Sequence, residues 1–375
     1  MTDTTAASGA RTSDDYARFG LHPATVAEWE DGARTDNRPG TYEWWYFDAH
    51  LDGGAKVVVV FQNKDIVNPN RPLSPLLRLS LDLPDGRSYE KLIEFPAESW
   101  SAATDRADVR IGDNRFVGDL HTYRITATAD ELSVDITLTG QIRPWRPATG
   151  HLVFGADGAL EFGWLPAVPQ GAVTGSYTVD GVTREVTGVG YHDHNWGNVG
   201  LLKIIHDWYW ARGQAGPYSV IASYITAAEK YGHHAIPVFM LARDGEIVAD
   251  DASLVRFETD GVYTDDLTGK PVASVVRYIF ERGDERIVVR FDRARDLVRA
   301  HMVDELSPMK RLLAKLARFD GAYLRFAGPM TVTVYRAGEQ VDEYADDAIW
   351  ELMYFGHARA AAPSATDGST RLAPH

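Results

Sequence analysis

The stretch Glu43–Gln62, EWWYFDAHLDGGAKVVVVFQ, returns in altered form as Asp207–Thr226, DWYWARGQAGPYSVIASYIT. In both, an acid precedes three aromatic residues, a glycine-bearing turn follows, and an apolar strand comes next. Short β-forming runs bounded by glycine turns are the pattern of antiparallel strands with one face buried. Two such units, separated by about one domain length, predict two related β domains in tandem. Coincidence between aromatic-rich strands is the competing explanation, and unlike topologies in the two halves would establish it.

The rest of the chain agrees with a mainly β protein. AKVVVVFQ, LLRLSLDL, HTYRITATA, ELSVDITLTG, GSYTVDGVTREVTG, YSVIASYITA, ERIVVRFD and MTVTVYRAGEQ are short, alternating or β-branched, and divided by turn residues. VDGV and RDGE are hairpin signals, because Asp-Gly adopts the left-handed turn that matches strand twist. One segment departs from this pattern. SPMKRLLAKLARFDG offers Ser307 as N-cap, Pro308 at the first helical position and Met309, Leu312, Leu313 and Leu316 on one face, predicting an amphipathic helix near the C-terminus. The expected organisation is a loose tail over 1–23, β domains over 24–195 and 196–358, and a second loose tail over 359–375.

At 375 residues with 45% apolar and 24% charged side chains, the chain can bury two full interiors. Its net charge of −15 argues against nucleic acid, whose phosphates need clustered Lys and Arg. An apolar small molecule fits better. The basic face of the 307–321 helix is read as solvated, while leaving room for transient membrane contact to collect such a substrate. No cysteine is present, which removes disulfides, thiolate metal sites and cysteine nucleophiles. The start, MTDTTAASGARTSDDYARFG, is acidic and lacks the apolar run of a secretory signal, and no apolar run approaches the roughly 20 residues of a membrane span. The expectation is a cytoplasmic protein of undetermined oligomeric state.

Chemistry concentrates in Gly188–Asn198, GVGYHDHNWGN. Three readings compete. His192 and His194 share a strand face and, with His206, His233 or His234, would form a metal site, although two histidines without a fixed third ligand are a weak signal. On the opposite face Tyr191, Asp193 and Asn195 stand together, a carboxyl flanked by a phenol and an amide. The third reading is a polar turn closed by Asp193 and Asn195. Spacing alone leaves these open. No Gly-x-Ser-x-Gly element, phosphate loop or dinucleotide fingerprint is present.

GTYEWWYFDAHLDGG and GVGYHDHNWGN resemble the two motif regions of the carotenoid 1,2-hydratase (hydroxyneurosporene synthase) and AttH-like family of lipocalin-like proteins, to which decalin-forming Diels–Alderases are related. The resemblance implies two lipocalin-like antiparallel β-barrels with a ligand pocket in or between them. It also implies alkene activation by an acidic aspartate among aromatic residues, without metal or cofactor. Carried over by motif, that aspartate is Asp193 and its tyrosine is Tyr191; by approximate spacing, the upstream tryptophan is Trp164 in EFGWLPAV.

Protonating an unactivated double bond needs a neutral acid held against an apolar chain. An aspartate begins near pKa 3.9, so half protonation at pH 7 demands about 4 kcal/mol of differential stabilisation. Burial among Trp and Tyr rings supplies it, and charged histidines beside the carboxyl would oppose it. Aromatic faces then stabilise the carbocation. The candidate catalytic residues are Asp193, Tyr191 and Asn195. Candidate substrate contacts are Trp164, Trp44, Trp45, Tyr46, His50, Trp196, Trp208, Trp210, His192 and His194, each of the aromatics having a plain core role as its alternative. Within this scheme His192 and His194 support the strand from behind. Glu43 and Asp207 read as buried structural partners, and Tyr209 and Asp48 as lesser candidates. The expected activity is hydration or cyclisation of an isoprenoid or polyene chain, with a hydro-lyase or cyclase outcome. A pericyclase acting by shape and hydrogen bonding, or a non-catalytic carrier, are the other classes.

Overall fold

The computed structural model describes residues 6–66, 68–302 and 319–358. The amphipathic pattern at 307–318 and the tail at 359–375 lie outside the described residues. Among the described residues the strands form a 13-stranded and a 10-stranded antiparallel sheet. In the first, Tyr42–Leu51 (the EWWY strand) lies between Lys56–Gln62 and Val182–Gly197 (the HDHN strand), and the order continues through Leu160–Val179, Leu132–Gly140 and Thr122–Ala129. In the second, Ile205–Ala215 (the WYW strand) lies between Tyr218–Ala227 and Glu339–Tyr354, continuing through Ala322–Arg336, Glu285–Asp292 and Val275–Arg282. The two orders are the same, so the repeat is structural and not a coincidence of composition.

The hairpins form where the turn residues dictate. Asp180 and Gly181, and Asp244 and Gly245, all have positive φ, the geometry that favours Asp-Gly between twisted strands. Strand alternation then sorts side chains into three cores. Trp45, Phe47, Val57 and Phe61 fill the curl of the first sheet. Tyr209, Ala211, Phe291 and Trp350 fill the second. A third cluster contains Tyr42, Trp164 and Tyr191 from the first sheet with Ile221, Ile225 and Met240 from the second, so the outer faces of the two sheets pack on each other. Each large apolar side chain fully buried there contributes roughly 2–3 kcal/mol.

The N-terminal segment expected to be loose is structured. Ala7–Gly9 pairs with His151–Phe154, and Ser13–Phe19 is a helix with Thr12 and Asp15 closing a capping box and Gly20 in the left-handed conformation at its end. Phe19 stacks on His151 at 3.7 Å and Arg18 donates to the Gly158 carbonyl. Polar composition concealed a segment held by caps and by a sheet edge rather than by apolar periodicity. No described helix is long and apolar enough to cross a membrane.

Candidate active site

The HDHN strand is fully extended, and its alternation separates two environments. Tyr191, Asp193 and Asn195 point outward, toward the second sheet; His192, His194 and Trp196 point into the first curl. Asp193 lies opposite Tyr46 and Asn195 opposite Trp44 across the EWWY strand, while Asn195 lies opposite Trp164 on the other side. The ladder to Leu160–Val179 shifts register between Leu165 and Val168, just past Trp164. Such a bulge re-aims side chains beside it.

Three donors converge on the Asp193 carboxyl. Its Oδ2 accepts from the Tyr191 hydroxyl and the Trp164 indole N–H, both at 2.8 Å, and its Oδ1 accepts from the Asn195 amide at 2.8 Å. Oδ2 thus has both lone pairs engaged, and Oδ1 keeps one for a proton. Asp193 is only 7% exposed. Burial pushes its pKa up from 3.8 to about 6, against the opposing pull of the Tyr191, Trp164 and Asn195 hydrogen bonds and the nearby His192. Burial also holds the Tyr191 phenol well above its ordinary value, so it remains a donor.

The facing walls are unlike. The first sheet contributes Trp44 and Tyr46, both half-buried, with Tyr46 set edge-on to Tyr191 at 6.3 Å. The second contributes half-buried Trp208, Trp210, Tyr323, Arg325 and Glu351. Trp210 approaches Tyr191 to 5.9 Å, and the Arg212 guanidinium lies 5.1 Å over the Tyr191 ring while pairing with Asp48. Glu351 accepts from Tyr323 at 2.8 Å and from Trp208 at 3.4 Å, and burial raises its pKa. These half-accessible side chains, with Trp44, Tyr46, Trp208 and Trp210 packed on the third core from both sheets, line what we call the groove. A separate cavity of about 490 Å³ along the same interface is lined by Arg143, Trp145, Arg146 and Asp250, and none of the predicted site residues lines it.

The predicted set therefore divides. Trp164, Tyr191, Asp193, Asn195, Trp44 and Tyr46 come together at the groove, faced by Trp208 and Trp210. His50 sits exposed at the far end of the EWWY strand. Trp45, Trp196, His192 and His194 are not at the groove, which corrects their inclusion among substrate contacts: strand parity turns them inward. Trp45 stacks on His194 at 4.2 Å and donates to the Asp31 carbonyl, and Trp196 packs against His194 and His151. Gly163 makes room for Trp196, since a Cβ there would sit 2.0 Å from its ring. His192 bonds the Tyr46 carbonyl and Asp31, and His194 bonds Glu43. His206 is occupied by Asp207 and the His357 carbonyl, and Tyr209 lies in the second curl. Sequence reasoning missed Arg212, Tyr323, Arg325 and Glu351. Arg212 had a signal, standing two residues past Trp210 on the same face.

Two curled antiparallel sheets packed through their outer faces, with a buried carboxyl among aromatic side chains between them, give a lipocalin-like architecture. Residues 99–270 match the family model described as Diels-Alderase-like. Among curated relatives, the chain is 25% identical over 193 residues to the quinolone epoxide rearrangement protein asqO of Emericella nidulans, covering 48% of this chain and 53% of that one. It is 30% identical over 207 residues to a hydroxyneurosporene dehydrogenase of Chlorobaculum tepidum, covering 46% and 54%. The chain spans about half the length of the curated relatives it matches. Its fold is similar to that of an AttH protein from Nitrosomonas europaea, with TM-score 0.58 and 18% identity over 90% of this chain and 99% of that one. It is likewise similar to CghA, with TM-score 0.59 and 16% identity over 90% and 98%. The resemblance read in the two motifs holds.

Proposed function

We propose that the chain is an enzyme that binds an apolar isoprenoid or polyketide-derived chain in the groove and protonates a carbon–carbon double bond from Asp193. The observation that carries this reading is the Asp193 carboxyl itself: buried, raised to about 6, and gripped by Tyr191, Trp164 and Asn195. At pH 7 roughly a tenth of such a group is neutral, a cost of about 1.4 kcal/mol. A substrate that expels the remaining water raises that fraction further, because desolvation disfavours the carboxylate. The proton leaves Oδ1, and the resulting carboxylate keeps its three donors. Trp44, Tyr46, Trp208 and Trp210 present ring faces and edges to the cation, each face contributing about 0.5–2 kcal/mol. Water capture gives an alcohol once a proton returns to the Asp193 carboxylate, and capture by a second double bond gives a ring and a new cation, which ends by losing a proton to the same carboxylate or by adding water. The two sheets act as the N-terminal and C-terminal domains of one cytoplasmic catalyst, with the site on the seam.

A second reading, pericyclic closure by shape and hydrogen bonding, is favoured by the Diels-Alderase-like match over residues 99–270. Asp193→Asn separates the two. Acid catalysis predicts loss of turnover with the fold intact, whereas a pericyclase keeps most of its rate because Tyr191 and Trp164 still donate. A bound polyene recovered unchanged after long incubation marks a carrier and overturns both.

A further inference from the structure

Arg325 stands on the groove face of Ala322–Arg336, directly across the ladder from Glu351. A cross-strand Arg and Glu on one face ordinarily pair. Here they do not: the Glu351 carboxyl is turned to Tyr323 and Trp208, and among the described residues the Arg325 side chain makes no hydrogen bond or ion pair. Arg212, the other groove guanidinium, is already matched by Asp48. Nearby carboxylates favour its charge, but no acceptor fills the five-donor fork, which leaves it free to hold one.

Its surroundings are mixed in charge: carboxylates of Asp48 and Glu351 lie within reach, and further along the strand so do other cations. Arg325 is within electrostatic reach of Tyr46, Asp48, Tyr323 and Glu351. Lys56 feels both Arg325 and Arg295, with Asp82 and Asp48 as its carboxylates, and His50 feels Arg212, Lys56 and Arg325 against the opposing Asp48. Lys56 lies opposite His50 across the ladder, and His50 is exposed, so these groups lie toward the solvent-exposed end of the EWWY strand. Its other end runs past Tyr46 and Trp44 beside Asp193 and Asn195. An aromatic groove with an acid along its wall and an unfilled guanidinium at its mouth suits an amphipathic anion rather than a plain hydrocarbon.

We propose that Arg325 binds a carboxylate head group of the substrate, anchoring a chain whose apolar body lies along Tyr46, Trp210 and Trp44 toward Asp193. The planar guanidinium fork matches a carboxylate bidentately, which fixes orientation as well as affinity. Lys56 and Arg295 draw the anion to the mouth, and Arg325 holds it. This rests on the groove being the substrate site, and it deepens that reading by naming the polar end of the ligand.

The test uses the full chain and two fluorescent probes, cis-parinaric acid, a conjugated polyene carboxylate, and its uncharged methyl ester. Wild type is expected to bind the acid about tenfold more tightly than the ester, the order of one charge-assisted contact. Arg325→Gln is expected to abolish that preference by lowering acid affinity to that of the ester, and Arg325→Lys to keep part of it. Equal wild-type affinities for acid and ester overturn the carboxylate site and leave the groove standing, as does an undiminished preference in Arg325→Gln. Failure of wild type to bind either probe overturns the groove reading and this inference with it. Should Arg325→Gln fail to fold, by near-ultraviolet circular dichroism, the wild-type pair of affinities and the Arg325→Lys variant still decide.

Discussion

Asp193 and Glu351 occupy equivalent places in the two sheets. Asp193 lies opposite Tyr46 across the EWWY strand, and Glu351 lies opposite Trp210 across the WYW strand. Tyr46 and Trp210 are each the third aromatic of their repeat unit. Each carboxyl accepts from one phenol and one indole, Tyr191 and Trp164 for Asp193, Tyr323 and Trp208 for Glu351. The difference lies on the other side of the ladder: Glu351 has Arg325 opposite it there, whereas Asp193 falls at the register shift between Leu165 and Val168, and only Asp193 receives a third donor from Asn195.

Asp193→Asn is expected to lower turnover by about a hundredfold or more, the usual contribution of a positioned acid. The same variant is expected to be no less stable at neutral pH, since Asn195 can turn its amide to meet the new one. Steady-state kinetics alongside thermal melts check both, and a turnover within a few-fold of wild type sinks the acid role.

The stability of wild type carries the sign of that carboxyl. With a folded pKa of about 6 against 3.8, native Asp193 holds its proton more tightly than the unfolded chain does. Its contribution is full below pH 4, declines as pH rises, and is gone above about 6, a change on the order of 3 kcal/mol. Asp193→Asn lacks this decline, so its melting temperature relative to wild type should rise between pH 4 and 7. A constant difference across that range contradicts the assignment.

Activity should fall as pH rises past about 6, following loss of the neutral acid. Tyr191→Phe removes a hydrogen bond that favours the carboxylate, so its inflection is expected at higher pH, with a lower maximal rate if Tyr191 also orients the acid. A pH profile of kcat/KM reads the shift, and an inflection moving downward refutes the donor role.

Arg212→Met leaves Asp48 buried without its partner at the seam between the sheets. The expected loss is about 3–5 kcal/mol, and the double variant Arg212→Met, Asp48→Leu should recover much of it. Denaturant melts of the two variants provide the measurement; additive losses would mean the two side chains act independently.

The sequence made one face of the site legible because a strand has period two. Tyr191, Asp193 and Asn195 follow from alternation, and the same rule already sends His192, His194 and Trp196 away from them, so including those three with Trp45 among substrate contacts set spacing aside. Trp164 came only from resemblance, because the bulge after Leu165 breaks the register that would have predicted it. Tyr323, Arg325 and Glu351 reach the groove from strands of the other sheet more than a hundred residues from Asp193, and no local pattern encodes such packing. Asp31, which holds His192 from a single turn of 3-10 helix, gave no periodic signal.

For a chain bound as proposed, the unlike walls of the groove set a direction. Had both sheets kept the same carboxyl and the same neighbours, a polyene lying between them would meet one environment whichever way round it entered. With Asp193 on one side and Arg325 and Glu351 on the other, head and tail are no longer interchangeable, and a double bond offers Asp193 one of its two faces. For the proposed protonation, the handedness of the product follows from the divergence of the two sheets.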